Sequence, residues 1–192
     1  MKKFALLLSV LIMLPAIQGC AVVVVGAAAG AVMTAHDRRS MGAQVEDTEI
    51  EVKIGARIAE HQELGDRVNI NVISYNRRVL LVGQAPSSHL KGLVERVAHS
   101  YEGVVEVHNR IKVKKKVSLD VTSNDAWLTS KSKTNLLAAE NFDGSHIKVV
   151  TEDSEVFLMG IVTEQEAEEA INVVRHLRGV EKVIDVFEYR YD

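Results

Sequence analysis

From Asp47 onward the apolar positions follow two distinct periods. Ile50, Ile54 and Ile58 recur every four residues within 48–61, one face of a helix. Val68, Ile70 and Val72 then alternate with polar neighbours, as on a half-buried strand. Tyr75-Asn76-Arg77-Arg78 reads as a turn, and Val79-Leu80-Leu81-Val82 as a second strand ending at Gly83. Pro86 and Ser87-Ser88 open a helix over 88–100 with Leu90, Leu93, Val94 and Val97 on one side. Gly103 ends it, and Val104, Val105, Val107 and Ile111 make a last strand. The order is α-β-β-α-β.

The same order then repeats. Asp125 opens a helix to Ala139, Ile147 and Val149 alternate, and Val156-Phe157-Leu158-Met159-Gly160 answers Val79–Gly83. Gly160 answers Gly83, Val174 answers Val97, Gly179 answers Gly103 and Asp125 answers Asp47, all at a nearly constant offset of roughly 77 positions. Thr163 with Glu166 three residues on is a capping box for the helix that follows. The pattern predicts an α+β fold of two tandem domains, 47–116 and 117–192. Each is a three-stranded mixed sheet with two helices on one face, the second helix forming a right-handed crossover between the last two strands. Cores this small are modest, so packing of the two domains against each other is expected.

Residues 1–46 follow a different pattern. Lys2 and Lys3 precede an apolar run of about ten residues, the length of a signal peptide rather than a spanning helix. The run closes on Ile17-Gln18-Gly19-Cys20, which resembles a bacterial lipobox. That reading makes 1–19 a lipoprotein signal peptide and Cys20 the lipidated residue, on the export side of a membrane. It also accounts for the lone cysteine, which has no disulfide partner in its own chain. Two or more acyl chains make a stable anchor where one does not. Residues 21–35 are apolar but short for a transmembrane helix and broken by Gly26 and Gly30. Together with polar His36 to Gly42 they read as part of a flexible tether, 20–46, able to reach roughly 85 Å fully extended.

Composition narrows the chemistry. The formal charge is -3, and loss of Lys2 and Lys3 would make it -5, the opposite of a nucleic-acid footprint. The seven His residues show no metal-ligand spacing. No nucleophile motif, phosphate loop or cofactor motif is present, so neither an enzyme nor a cofactor is expected. Lys112, Lys114, Lys115 and Lys116 read as a solvated strand end, with contact to anionic headgroups as the alternative.

One surface is different. Aligned from Asp47 and Asp125, the two first helices place Leu128, Ser132 and Leu136 on Ile50, Ile54 and Ile58, and Trp127 on Glu49. A charged counterpart marks the position as outward. On a helical wheel Lys131, Ala138 and Thr134 fall in the same sector as Trp127, and Leu137 stands just under a quarter-turn away. An outward Trp beside Lys131 and Lys133 suits an anionic membrane interface, each nearby Lys adding about 1 kcal/mol. A tether would make such a weak contact effectively intramolecular. The alternative is that Trp127 packs between the two domains.

The two copies of Val-aliphatic-aliphatic-aliphatic-Gly, 79–83 and the Phe-containing 156–160, each followed by a helix and by Gly103-Val104 or Gly179-Val180, resemble the BON domain. Gln44-Val45-Glu46-Asp47 and Ser123-Asn124-Asp125-Ala126-Trp127 extend the likeness, and a lipobox followed by two such domains resembles dual-BON outer-membrane lipoproteins. The resemblance implies a lipid-anchored protein on the periplasmic face of the outer membrane. It implies binding of anionic phospholipids (phosphatidylglycerol, cardiolipin) by the first helix of the second domain. The residues implied there are Ser123, Asn124, Trp127, Ser130, Lys131, Lys133, Thr134 and Leu137. It further implies enrichment at division sites, support of envelope integrity, and contact with the outer-membrane protein assembly machinery. A periplasmic protein-interaction scaffold or chaperone is the second reading, and a cell-wall hydrolase the third.

Overall fold

The computed structural model describes residues 37–115 and 119–191. The leader 1–19, Cys20, the apolar 21–35 stretch, His36 and Lys116 lie outside the described residues. Residues 38–192 make one compact unit.

The first repeat comprises α1 (Met41–Glu60), β1 (Asn69–Tyr75), β2 (Arg78–Ala85), α2 (Ser88–His99), β3 (Glu106–Asn109) and β4 (Lys112–Val113). The second comprises α3 (Leu119–Leu137), β5 (Lys148–Glu152), β6 (Glu155–Val162), α4 (Glu164–Arg175) and β7 (Lys182–Tyr189). In each sheet the first two strands pair antiparallel and the crossover strand pairs parallel to the middle one. The two sheets differ at one place. In the first domain the last strand breaks after Asn109, whose side-chain oxygen accepts the Ile111 N–H, and resumes as β4 alongside β2. The break turns Ile111 into the core, where it is buried.

Both first helices start earlier than their periodicity predicts. Ser40, expected in the tether, caps α1 by accepting the Ala43 N–H at 3.1 Å, so 41–46 is helix rather than linker. Asp47 and Asp125 are not helix openers either. Each lies well inside its helix, which begins at Met41 or Leu119, and each is buried. Asp47 accepts the backbone N–H groups of Asn76 and Arg77, both at 2.7 Å, and the Ser74 hydroxyl at 2.6 Å. Asp125 accepts those of Asp153 at 2.7 Å and Ser154 at 2.9 Å. These four turn residues all have positive φ, the left-handed pair that matches the twist of a two-residue hairpin. A buried carboxylate in the first helix thus ties down the hairpin beneath it, once in each domain.

The middle strands are apolar on both faces because both faces are covered. Val79 and Leu81 face the α1/α2 layer, and Val156 and Leu158 the α3/α4 layer. Their alternates, Leu80 and Val82 with Ile73 and Tyr75, join Phe157, Met159 and Val186 in a third core between the two sheets. The molecule is therefore helix–sheet–sheet–helix, and the expected packing of domains is sheet against sheet. Gly83 is required by close approach: at φ +115, an added Cβ would collide with the Asn69 carbonyl oxygen.

Charge pairs rim this interface. Lys112 reaches Asp153 at 2.9 Å and Glu155 at 3.1 Å, and Lys114 also binds Asp153. Burial works to raise the Asp153 carboxyl, but Lys114 and Lys112 outweigh it and hold the pKa below its usual value. So Lys112 and Lys114 are neither a solvated strand end nor headgroup ligands; they are interdomain contacts. Across the same seam Lys148 binds Glu51 at 2.8 Å, and Arg78 and Asn76 bind Glu188 at 3.3 and 2.7 Å.

The residues just before α1 fasten both domains. Arg38 forks onto Glu166 and donates to the Ile161 carbonyl at 2.8 Å, all in the second domain. Arg39 binds Asp47 at 2.7 Å and stacks 4.0 Å from the ring centroid of Tyr75, in the first.

Candidate functional site

The inward line of α3 is Asp125, Leu128, Ser132 and Leu136, all buried. Placing these four against the second sheet and α4 leaves the opposite half of the helix uncovered. Trp127 is 54% exposed and Leu137 58%. They stand about 15 Å from each other along the helix axis. Trp127 therefore does not pack between the domains; that layer is built from strands.

Ser123, Asn124, Ser130, Lys133 and Thr134 are exposed as well, and Lys131 is half-buried. On the helical wheel all eight fall within about half of the circumference. Ser130 donates to the Ala126 carbonyl at 3.1 Å and Thr134 to the Ser130 carbonyl at 3.0 Å, which leaves their oxygens as outward acceptors. Asn124 donates to the Ser154 hydroxyl at 3.4 Å, linking the start of this surface to the tied hairpin. The Lys131 ammonium lies 4.6 Å from the Trp127 ring centroid, a cation–π contact, and donates to the Arg178 carbonyl at 3.0 Å.

The last contact brings in an element that sequence reasoning left out. The turn after α4 runs against the indole. At Gly179, φ +100, an added Cβ would stand 3.1 Å from Leu128 Cδ2 and 3.8 Å from Trp127 Cζ3. In the sequence Gly179 reads as the repeat counterpart of Gly103, which ends a helix; its contact with Trp127 comes from the crossover returning to the first helix of the domain.

The equivalent face of the first domain has other chemistry. Glu49, at the place of Trp127, accepts from the Tyr101 hydroxyl at 3.3 Å, and Arg57 stacks 4.9 Å from the Tyr101 ring centroid. Met41, Val45 and Val52 form an exposed apolar stripe further along α1.

Among the described residues no group of three His, Cys, Asp or Glu is arranged to hold a metal ion. No helix among them is long and apolar enough to cross a membrane. What the α3 surface offers is an amphipathic ring at the water boundary, a cation held against it, and outward hydroxyls. Such a set of groups is chemically complementary to an anionic, partly apolar surface.

Comparison with known proteins agrees with the repeat. The BON domain model matches residues 46–115 and 124–191. The chain is 38% identical over 189 residues to the outer membrane lipoprotein DolP of Haemophilus influenzae, covering 98% of this chain and 96% of that protein. It is 38% identical over 153 residues to a 21 kDa hemolysin of Actinobacillus pleuropneumoniae, covering 80% and 79%. It is 29% identical over 146 residues to the osmotically inducible protein Y of Escherichia coli, covering 74% and 72%.

Proposed function

The chain belongs to the BON-domain family, with two copies of the domain, and from this we propose that it is a lipid-anchored outer-membrane lipoprotein binding anionic phospholipids through α3. The observation that carries the reading is the solvent-exposed Trp127 with the Lys131 ammonium against its ring. An indole prefers headgroup depth, and cations beside it favour phosphatidylglycerol or cardiolipin over zwitterionic lipid. The likeness to an outer membrane lipoprotein over nearly its whole length supports anchoring through Cys20 on the periplasmic face. We read the protein as a binding module rather than a catalyst, acting in envelope integrity and outer-membrane protein assembly and enriched at division sites. These roles rest on the family resemblance.

Trp127→Glu tests the reading. The residue is outside the core, so the circular dichroism spectrum stays unchanged, while binding to phosphatidylglycerol micelles is lost. Unchanged binding contradicts the proposal. A second reading, a protein-interaction scaffold, is favoured by the exposed Met41–Val45–Val52 stripe on α1. Under it Val45→Glu, not Trp127→Glu, abolishes partner pull-down.

A further inference from the structure

The lipid-facing surface has a second half. Lys131, the cation nearest Trp127, does not project freely: its ammonium is directed at the Arg178 carbonyl. The bond fixes the turn after α4 beside the indole, and Gly179 lets the backbone lie against Leu128 and Trp127 without a clash. What that turn presents outward is Arg178, exposed, with Arg175 and His176 one turn earlier and Lys182 at the start of β7. Arg175, Arg178 and Lys182 make no ion pair with any described residue. The one acid within the turn, Glu181, donates its backbone N–H to the Ser154 carbonyl, at the hairpin end of the surface.

The first domain is an internal control. Its counterpart of Gly179 is Gly103, also at positive φ (+91), so the backbone device is the same. There the residue before the glycine is Glu102 where the second domain has Arg178, and Glu49 stands where it has Trp127. Two copies of one turn differ by a reversal of charge at the position beside the exposed ring. Fold maintenance does not require that reversal.

Resting on the lipid reading of α3, we infer that Arg178 is a phosphate ligand of the same surface, binding the phosphodiester of an anionic glycerophospholipid while Trp127 enters at headgroup depth. A guanidinium presents a planar fork that matches a phosphate with two parallel hydrogen bonds, which an ammonium cannot do. Lys131 is then a positioning residue: it holds the backbone of the turn and leaves the Arg178 side chain free for the ligand.

Trp127 is the only tryptophan, so its emission reads the site directly in the full chain. The chain is reconstituted on phosphatidylcholine vesicles with rising phosphatidylglycerol content. The wild type shifts its emission to shorter wavelength as phosphatidylglycerol rises. Arg178→Gln needs about fivefold more of it for the half-shift, and Arg178→Lys falls between. Because only the backbone of Arg178 is used in the fold, the urea midpoint of Arg178→Gln matches the wild type. Millimolar inorganic phosphate without phosphatidylglycerol leaves the emission unchanged. A normal wild-type shift with an unaltered Arg178→Gln titration overturns this inference alone. A shift driven equally by inorganic phosphate overturns the lipid source. A wild type that never shifts removes the α3 reading and this inference with it.

Discussion

The carboxylate of Asp125 accepts the backbone N–H of Ser154 at 2.9 Å, closing a turn whose two central residues sit at φ +55 and +62. Non-glycine residues enter that region at a cost, so the turn needs an external partner for its amides. Asp125 supplies it from within α3, close to Trp127 in the same helix, and so couples the position of the helix that carries the exposed Trp127 to the hairpin of its own sheet. Asp125→Ala removes two charge-assisted hydrogen bonds from a buried site. The expected cost is on the order of 2–3 kcal/mol in urea unfolding followed by circular dichroism. A cost below about 0.5 kcal/mol, the ordinary range of a surface change, contradicts the assignment.

The clamp between Arg38 and Glu166 predicts an acid dependence. The Arg38 hydrogen bond lowers the Glu166 pKa from 4.5 to about 2, against the opposing effect of burial, with the Thr163 N–H helping. A carboxyl depressed in the folded state stabilises fully above its unfolded value and loses that contribution as the pH falls through its folded one. The Glu166 contribution is therefore complete at pH 7 and declines between about 4.5 and 2. Glu166→Gln costs on the order of 2 kcal/mol at pH 7, after allowance for partial solvation, and progressively less towards pH 2. The check is urea unfolding of both proteins at pH 7 and pH 3. An identical difference at the two pH values rules out the clamp as its source.

Leu80 is fully buried and lies in the core between the sheets, not in the core beneath the helices. Leu80→Ala is expected to cost about 2–4 kcal/mol. Leu80→Asp places an unpaired charge there and separates the domains while each keeps its own core. Solution scattering would register an increased radius of gyration with helix content retained. An unchanged radius would show that the sheets are not held together at this position.

The repeat and the strand order were legible because the apolar runs at 79–82 and 156–159 are bounded by glycine and recur at nearly constant spacing. The same runs also carried an unused signal. Four consecutive apolar residues mean a strand covered on both faces, and only one face has helices, so the other had to meet the second sheet. The helix starts were hidden for a physical reason. The inward positions preceding Ile50 and Leu128 are Asp47 and Asp125, which look like caps because nothing nearby in sequence shows the hairpin amides they bind, 28 to 30 residues away. The outward face of α3 was readable by comparing the two copies, since Glu49 marks the place of Trp127. The part contributed by Gly179 and Arg178 was not, because that turn meets α3 only through the returning crossover.

The proposed lipid recognition by α3 is tested residue by residue in an amide chemical-shift titration of the compact 38–192 unit with micelles of phosphatidylglycerol and, separately, of phosphatidylcholine. Phosphatidylglycerol is expected to move the signals of α3 between Ser123 and Leu137 together with the Trp127 indole N–H, while α1 stays still and phosphatidylcholine has little effect. Shifts centred on the Met41–Val52 face of α1, or equal responses to both lipids, would contradict recognition of anionic lipid by α3.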